Sequence, residues 1–432
     1  MILLALNELN TGLIKEYIKL GHLNNFSRLF KYGIIETSSE TKYDLLEPWI
    51  QWVTVQTGLK FDQHKVYRLG DIVNRQDLTQ IFETLENKGL TVGCISPFNA
   101  DNRLEKSNFF VPDPWTKTRT SGTFLIKRLS KTISRLVNTN SSGKVGVSDF
   151  FWLIISLIFY VRVKKWPNFL WFFINRNKPG VKAAILDSVL LEVFVTLQKK
   201  YKPDYSHLFF NGGAHIQHHY MFNSKVYKGN YKNPDWYCSN TWDPVLMILK
   251  TYDRIIGDLL KSGEKIIGLT GLHQSPHDKQ TFYWRPLNHK NLLHEMGLNC
   301  SFKVTPRMSR DFLIEFNNQK EAKSAEKLLS QFVDSNSNLP VFNIDNRGKS
   351  LFVEMIYDKD IDKKLKFIGP KNIVIENIKS KLSFVAIKNG KHHETGYLFS
   401  NVKLDLPKKI GLEKTFDFII DFALKEFKNK TL

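Results

Sequence analysis

The chain is poor in cysteine, in acidic residues and in long apolar runs. Its three cysteines, Cys94, Cys238 and Cys300, are far apart among 432 residues and form no C-x-x-C pair. This spacing argues against a thiolate zinc site and a disulfide framework, so we expect reduced thiols in a reducing compartment. Asp and Glu number 42 against 62 Lys and Arg, which gives a formal net charge of +20. Such a charge attracts anions, whether phosphorylated substrates, nucleic acid or an acidic membrane face.

The one candidate for membrane contact is FFWLIISLIFYV at 150–161, followed by RVKKWPNFLWFFINRNK. This apolar run is shorter than the roughly 20 residues that span a bilayer. Two short apolar segments with a basic junction indicate either a buried helical hairpin or membrane-surface contact through 150–174. The N-terminus, MILLALNELN, is too short and too uncharged for a signal peptide. We therefore expect a cytoplasmic protein, peripheral at the inner face of the membrane if 150–174 is exposed.

Apolar runs alternate with segments of helical periodicity along most of the chain. Strands are predicted at about 2–6, 33–40, 90–96, 206–210 and 265–271, and helices at about 11–31, 48–58, 77–89, 183–199 and 244–261. This alternation predicts an α/β fold with a mostly parallel central sheet and helices on both faces. Two regions interrupt it: a basic and aromatic helical insertion at 120–181 and a small α+β cap at 306–380. The predicted core domain is thereby divided into 1–119, 182–305 and 381–432.

Residue types that bind metals follow several of the predicted strands. Open α/β sheets bind ligands at the carboxyl ends of their strands. The side chains expected there are Asn7, Glu8, Glu47, His215, His218, His219, His273, His392 and His393. Histidines and carboxylates at one rim suit a transition metal such as zinc or manganese. A structural role is the alternative for each, such as capping of the first helix by Asn7 and Glu8 or stabilisation of a helix N-terminus by Glu47.

In this order the segments resemble the alkaline phosphatase superfamily, in particular its type I phosphodiesterases, nucleotide pyrophosphatases and sulfatases. The resemblance covers roughly 1–110, 183–300 and 382–430. Asn7 stands where the family has a metal-binding Asp, and Glu47 or Pro48 stands where it has a Thr or Ser nucleophile. Three further family motifs, Asp-x-x-x-His, Ser-Asp-His-Gly and Gly-x-His, correspond to Ala214 to His218, Gly271-Leu272-His273-Gln274 and Gly390-Lys391-His392.

In this resemblance, the sequence has the family's three histidines but lacks its three aspartates and its hydroxyl nucleophile. It implies a hydrolase or transferase of phosphate or sulfate esters that uses one or two divalent ions, zinc or manganese. The implied metal ligands are Asn7, Glu8, His218, His273 and His392, and the implied catalytic residues are Glu47 and His215. Because carboxylates offset the repulsion between two cations, their loss also leaves open a non-catalytic relative.

The substrate implied by the resemblance is an anionic small molecule, glycan or lipid-linked compound, in keeping with cell-surface glycan metabolism. The non-catalytic alternative would bind an anionic glycan or a lipid-linked intermediate. In the predicted cap, four basic residues are candidates to clamp an anionic group: Arg307, Arg310, Arg347 and Lys349. They equally fit a solvated basic face. No helix-turn-helix, zinc-finger or RNA-recognition signature is present, so no nucleic-acid partner is expected.

Overall fold

The computed structural model describes residues 1–138, 146–307 and 309–431; the stretch 139–145 of the predicted insertion lies outside the described residues. The chain divides into two compact units. The first comprises 1–276 and 390–432, and the second comprises 277–389.

The first unit alternates strands and helices from its first residues onward. Up to residue 276 its elements are β1 (Ile2–Leu6), α1 (Thr11–Lys19), α2 (Asn24–Leu29), β2 (Ile34–Ser38), α3 (Pro48–Thr57), α4 (Phe61–His64), α5 (Ile81–Asn87), β3 (Val92–Ile95), β4 (Phe109–Val111), α6 (Phe124–Asn138), α7 (Val147–Tyr160), α8 (Trp166–Ile174), α9 (Val181–Tyr201), β5 (Tyr205–Phe210), α10 (Gly212–Tyr220), α11 (Pro244–Leu260) and β6 (Ile266–Leu269).

The second unit is an α+β structure whose elements continue in chain order. They are β7 (His273–Pro286), α12 (His289–Glu295), β8 (Phe302–Pro306), β9 (Asp311–Phe316), α13 (Gln319–Leu329), β10 (Val333–Asp334), β11 (Phe342–Asn346), β12 (Ser350–Met355), β13 (Phe367–Ile368), β14 (Val374–Ile375), α14 (Ile378–Lys381) and β15 (Leu382–His393). The first four residues of β7 and the last four of β15 belong to the first unit. The chain then returns to the first unit with β16 (Thr395–Ser400), β17 (Lys409–Gly411) and α15 (Lys414–Thr431).

Within the described part of the chain, the central sheet of the first unit has eight strands. Their order is β17-β2-β16-β6-β1-β5-β3-β4. In this sheet β16 alone runs antiparallel to its neighbours, and all other pairings are parallel. The structure confirms the predicted α/β fold with a mostly parallel sheet and helices on both faces. The start of β16 therefore lies at the same edge as the carboxyl ends of the parallel strands.

The central strand β1 is buried on both faces. Because side chains alternate along a strand, Ile2 and Leu4 pack into one apolar layer and Leu3 and Ala5 into the other. The first layer includes residues of α1, α2, α9 and α11, and the second includes residues of α3, α5 and α15. This double burial explains why the strand is apolar throughout and polar groups begin only at its end.

The sequence predicts one helix over 11–31, but the structure has two, α1 and α2. Gly21 adopts a φ of +75° just after the first helix, a conformation that favours glycine and interrupts helical geometry. Asp253 of α11 then accepts hydrogen bonds from the backbone N–H groups of Asn25 and Phe26, both at 2.8 Å, at the start of α2. Asp253 of the neighbouring helix α11 thus stabilises the start of α2 after the break between α1 and α2.

In the second unit, β8, β9, β11 and β12 form an antiparallel sheet in the order β11-β12-β9-β8. Phe312 and Ile314 of β9 are buried, as are Ala322 and Ala325 of α13. The bounds of this unit, 277–389, are wider than the predicted cap of 306–380 because the long paired strands β7 and β15 carry the chain in and out. The helices α6, α7 and α8 of the predicted insertion belong to the first unit.

One buried histidine of β5 makes stability depend on pH. His207 is fully buried, with the rings of Phe82 and Trp52 at centroid distances of 5.7 and 6.3 Å. Burial lowers its pKa from the ordinary value of 6.5 to about 3. The unfolded chain therefore binds this proton first as the pH falls, so the stabilising contribution is complete above pH 6.5 and lost progressively toward pH 3.

We expect the variant His207→Phe to reduce the dependence of unfolding free energy on pH between 6.5 and 4.5. The lost slope is at most roughly 1.4 kcal/mol per pH unit, the value for one proton. Urea unfolding at a series of pH values measures it, and the exposed His22 supplies the control variant His22→Phe. Equal slopes for wild type and His207→Phe would show that His207 is not the group that titrates.

Candidate metal centre

Glu8 lies at the end of β1 in a strained backbone conformation. Its φ is +58°, a region that non-glycine residues seldom occupy. The conformation is fixed on both sides, since Glu8 N–H donates to Thr270 O at 3.0 Å and Glu8 O accepts from Gln274 N–H at 3.1 Å. Gln217 Nε2 donates to the same carbonyl at 3.0 Å. Strain held in this way marks positions where a side chain must point in a particular direction.

The buried Glu8 carboxylate is surrounded by amides. Asn7 Nδ2 donates to Oε1 at 3.0 Å, and Gln274 Nε2 donates to Oε2 at 2.5 Å. Trp52 Nε1–H donates to Asn7 Oδ1 at 2.7 Å, which fixes the orientation of that amide because an indole N–H can only donate. Asn7 Nδ2 also donates to Asn211 Oδ1 at 2.8 Å. The carboxylate is therefore held rigidly by neutral donors.

Two imidazoles meet this carboxylate from distant parts of the chain. His218 lies on α10, which follows β5, and His392 lies near the end of β15, which leads into β16. His218 Nε2 is 3.0 Å and His392 Nε2 is 3.1 Å from Glu8 Oε2. The two Nε2 atoms are 3.3 Å apart. Three donor atoms thus form a nearly equilateral triangle.

This triangle has the dimensions of one face of a metal coordination sphere. Bonds of about 2.0–2.1 Å from zinc to nitrogen or oxygen in tetrahedral geometry separate neighbouring ligand atoms by roughly 3.3 Å. Two histidines and one carboxylate also match the ligand sets of catalytic metal sites that keep positions open. Among the described residues, Glu8, His218 and His392 are the group of such side chains whose ligand atoms all lie within 4.8 Å. The donor set therefore fits one divalent transition metal.

Charge at the triangle favours an ionised Glu8. Burial by itself would raise the pKa of this carboxyl, but the charges of His392 and His218 and hydrogen bonds with both rings hold the pKa well below its ordinary value. A carboxylate that remains ionised while buried is a strong ligand for a cation.

Glu47 lies on the far side of His392. It is the residue that precedes α3, where Pro48 occupies the first turn, and its side chain makes no hydrogen bond that caps the helix. Glu47 Oε2 is 3.7 Å from His392 Nδ1, whereas the opposite ring nitrogen faces Glu8. Carboxylates in this position orient histidine ligands and favour a proton on the outer nitrogen.

Helix α10 is anchored at its first turn by a buried acid of α9. Asp187 Oδ2 accepts from Gly212 N–H at 2.9 Å and from the Tyr252 hydroxyl at 2.6 Å, and that hydroxyl accepts from Gly213 N–H at 2.8 Å. Burial raises the pKa of Asp187 to about 7. A Cβ on Gly212 would lie 2.4 Å from Asp187 Oδ2, so this close approach requires glycine. These contacts set the position from which His218 reaches Glu8.

Two of the predicted metal ligands are placed differently. His273 is not part of the triangle: its Nδ1 is 2.5 Å from Thr395 O, and its ring packs against His393 and Tyr397. Burial lowers its pKa to about 4. Successive residues of β7 point to opposite sides, so Gln274 faces Glu8 in its place. Asn7 presents its NH₂ group to Glu8 and its oxygen to Trp52, and metal binding by Asn7 stays a prediction.

The other predicted site residues lie near the triangle or in the second unit. His215 precedes His218 by one helical turn, is exposed and packs on the ring of His219 at 4.9 Å; its catalytic role stays a prediction. Arg310 pairs with Glu354 at 2.8 Å and Arg347 with Asp345 at 2.7 Å.

All four candidate clamp residues, including the exposed Arg307 and Lys349, belong to the second unit. Their contact with substrate stays a prediction.

The side-chain amides of two glutamines that contact Glu8 were not predicted from the sequence. Gln217 and Gln274 hold the backbone and the side chain of Glu8, and neither residue type signals a metal site. Gly390 was the available signal: a Cβ there would lie 2.1 Å from Gln274 Oε1 and 3.0 Å from Gln217 O. Only glycine lets β15 pass so close to these groups.

No protein-family model matches the chain, and no curated protein matches it. Phosphonoacetate hydrolase from Sinorhizobium meliloti 1021 in complex with phosphonoformate is a structural neighbour, with a TM-score of 0.45 and 12% sequence identity over 98% of this chain and 95% of that chain. Its complex with phosphonoacetate matches with a TM-score of 0.43 and 13% identity over 98% of this chain and 95% of that chain. Murine ectonucleotide pyrophosphatase/phosphodiesterase 5 is another neighbour, with a TM-score of 0.44 and 10% sequence identity over 98% of this chain and 94% of that chain.

At such TM-scores and identities, the chemistry of this chain follows from its own side chains.

We expect Gln274→Glu to destabilise the metal-free protein more than Gln274→Met. Both variants remove the donor to Glu8 Oε2 and to Ala214 O, at a cost of about 1–3 kcal/mol. The glutamate also places a second carboxylate against Glu8, which adds repulsion that a bound cation would relieve.

Urea unfolding in chelator and then in zinc measures both effects. Zinc should restore more stability to Gln274→Glu than to Gln274→Met. If the two variants were equally stable in chelator, Gln274 would not face the Glu8 carboxylate as described.

Proposed function

We propose that this chain is a metal-dependent hydrolase or transferase of phosphate or sulfate esters, with one divalent ion bound by Glu8, His218 and His392. The observation that carries the proposal is the convergence of three donor atoms at 3.0–3.3 Å from one another. The class of reaction comes from the ordered motifs that resemble the alkaline phosphatase superfamily.

The donor set favours one ion over two. A pair of divalent ions repel each other and need several carboxylates nearby. Here Asn7 and Gln274 offer amides beside the single buried carboxylate of Glu8. Zinc is the ion that best suits two imidazoles and a carboxylate with open coordination positions, and manganese is the alternative.

Each residue then has a defined task at the proposed site. A bound ion would act as a Lewis acid toward a phosphoryl or sulfuryl oxygen. Glu8 supplies the buried negative charge, and the Asn7 and Gln274 amides hold its two oxygens in place. Glu47 attracts the proton of His392 to Nδ1, which leaves the Nε2 lone pair directed at the triangle.

By the resemblance, Glu47 or Pro48 stands where the family has its nucleophile, and Glu47 is partly exposed, with 33% of its side chain accessible. This exposure also allows it to accept a proton from a substrate hydroxyl or from water. Orientation of His392 and general-base catalysis are different roles, and they affect metal affinity and turnover differently.

A non-catalytic role is the second candidate, and the same amides favour it. A site with one carboxylate and no hydroxyl nucleophile can bind an anionic group through a cation without cleaving it. In that case the chain would bind an anionic glycan or a lipid-linked intermediate.

We expect the purified chain to bind one zinc per molecule, measured by elemental analysis after reconstitution and gel filtration. Glu8→Gln and His218→Ala should weaken zinc binding by at least about a hundredfold, since changes that only disturb ligand orientation already cost 10–100-fold. His22→Ala, at an exposed histidine outside the site, is the matched control. Undiminished zinc in both site variants would refute the proposed ligand set.

Glu47→Gln separates the two roles of this carboxylate. If Glu47 orients His392, zinc affinity measured by chelator competition should fall roughly 10–100-fold, and Glu47→Asp should recover part of it. If Glu47 is the general base, kcat toward bis(p-nitrophenyl) phosphate should fall about 10²–10⁴-fold at saturating zinc with affinity unchanged. No hydrolysis by the zinc-loaded wild type across a panel of phosphate and sulfate esters would favour the non-catalytic candidate.

A further inference from the structure

Helix α7 carries its apolar residues on the outside. Five exposed apolar side chains recur at helical spacing along one stripe: Val147, Phe150, Phe151, Ile154 and Ile158. Phe159 beside them is 74% exposed. The buried positions of the same helix are instead Asp149, Ser156 and Tyr160. A helix on the surface of a water-soluble domain has the opposite arrangement.

Helix α8 extends the same pattern. Its exposed large apolar side chains are Trp166, Leu170, Trp171, Phe173 and Ile174. Of the 23 large apolar side chains exposed in the described residues, 12 lie within 147–174. We call these twelve the apolar helical face. A concentration of this kind marks a surface that another apolar phase or molecule covers.

Cations far outnumber acids in the segment that carries this face. From 114 to 186 the sequence has 13 Lys and Arg and a single acidic residue, Asp149. That acid is buried and pairs with Arg135 at 2.8 Å. Lys164, Arg176 and Lys178 are exposed at the turn between the helices and after α8.

The neighbouring helix α6 adds to this positive charge. Its exposed residues include Lys127, Arg128 and Lys131. The Arg128 guanidinium lies over the ring of Trp152, 5.4 Å from its centroid, and so joins the basic helix to the apolar one.

The turn between α7 and α8 is fixed to the core. Arg162 pairs with Glu192 at 2.6 Å and with Asp258 at 2.8 Å, and Lys165 pairs with Asp258 at 2.5 Å. Glu192 is buried in α9, and Asp258 lies on α11. The turn that joins the two helices of the apolar helical face is therefore tied to α9 and α11 of the core.

We propose that the apolar helical face docks this protein on the surface of a bilayer that contains anionic lipid. Apolar and tryptophan side chains would enter the interface while the surrounding Lys and Arg meet acidic headgroups. Helices of 14 and 9 residues are about 21 and 14 Å long, too short for a hydrocarbon core of about 30 Å. Among the described residues, no helix combines the length and hydropathy needed to cross a membrane.

A second copy of the chain is a poorer occupant. Symmetric pairing would place the same patch on both sides of the interface, so Lys and Arg would face Lys and Arg. An anionic bilayer satisfies the apolar residues and the cations together. Charge complementarity therefore selects the membrane surface.

The segment that follows the apolar helical face packs against the helix that carries His218. The chain passes from the end of α8 to Gly180, where a Cβ would lie 2.9 Å from Ile216 Cδ1 of α10. Helix α10 carries His218. Docking rests on α6, α7 and α8 and does not depend on metal binding.

Flotation with vesicles tests the proposal. Wild type should float with vesicles of phosphatidylcholine and phosphatidylglycerol in equal amounts, and less with phosphatidylcholine alone. The double variant Ile158→Gln/Phe173→Gln should partition about tenfold less or weaker still, because two apolar side chains no longer enter the interface. Leu20→Gln/Leu339→Gln, at residues 58% and 59% exposed, is the matched control and should float like wild type.

The charge component is measured separately. Arg128→Gln/Lys164→Gln should weaken partition by about 25-fold, because each cation near the surface contributes roughly a factor of five. Added salt should weaken wild-type binding in the same direction. The variant Lys88→Gln/Lys261→Gln changes two exposed lysines that directly follow α5 and α11. It removes the same net charge away from the apolar helical face and should bind vesicles like wild type.

Three outcomes would overturn the proposal. Wild type that stays with neither vesicle, or control variants that lose as much binding as the test variants, would exclude docking through this face. Self-association in sedimentation velocity that Ile158→Gln/Phe173→Gln abolishes, with no vesicle binding, would assign the face to a second copy. Because Glu8→Gln in chelator should float like wild type, failure here and failure of the metal centre are distinguishable.

Discussion

The ion pair between the buried Glu8 carboxylate and two imidazoles is the interaction on which this site depends. Glu8 reaches it through a strained φ of +58°, held by backbone contacts to Thr270 and Gln274. Without a partner of opposite charge, a buried carboxylate would be costly. His218 and His392 supply that partner when they are protonated, and a divalent cation bound to their deprotonated Nε2 atoms would supply it in their place. The amides around Glu8 keep the carboxylate in place in either state.

The topology of the sheet explains how residues so distant in sequence converge. Glu8 follows β1, and His218 lies in α10, the helix that follows β5. His392 precedes the antiparallel strand β16, which starts at the same edge of the sheet. Asp187 fixes the first turn of the helix that carries His218. On the same unit, α7 and α8 present the apolar helical face outward.

Much of this could be predicted from the sequence. Double burial makes β1 continuously apolar, and the spacing of strands and helices indicates a parallel sheet. Glu8, His218 and His392 were predicted because histidines and carboxylates follow strands. The exchange of His273 for Gln274 could not be predicted, since it depends on which side of β7 faces the site after Gly271, at φ +72°. The role of Asn7 depends on Trp52, 45 residues away, which orients its amide.

X-ray absorption spectroscopy of the zinc-loaded protein counts the atoms bound to the ion and so tests whether Glu8, His218 and His392 share it. We expect zinc bound by nitrogen and oxygen at about 2.0–2.2 Å, with outer-shell scattering from two imidazoles and no sulfur. Removal of His392 should reduce the imidazole count to one. A shell containing sulfur, or an imidazole count that does not respond to His392, would contradict convergence of Glu8, His218 and His392 on one ion.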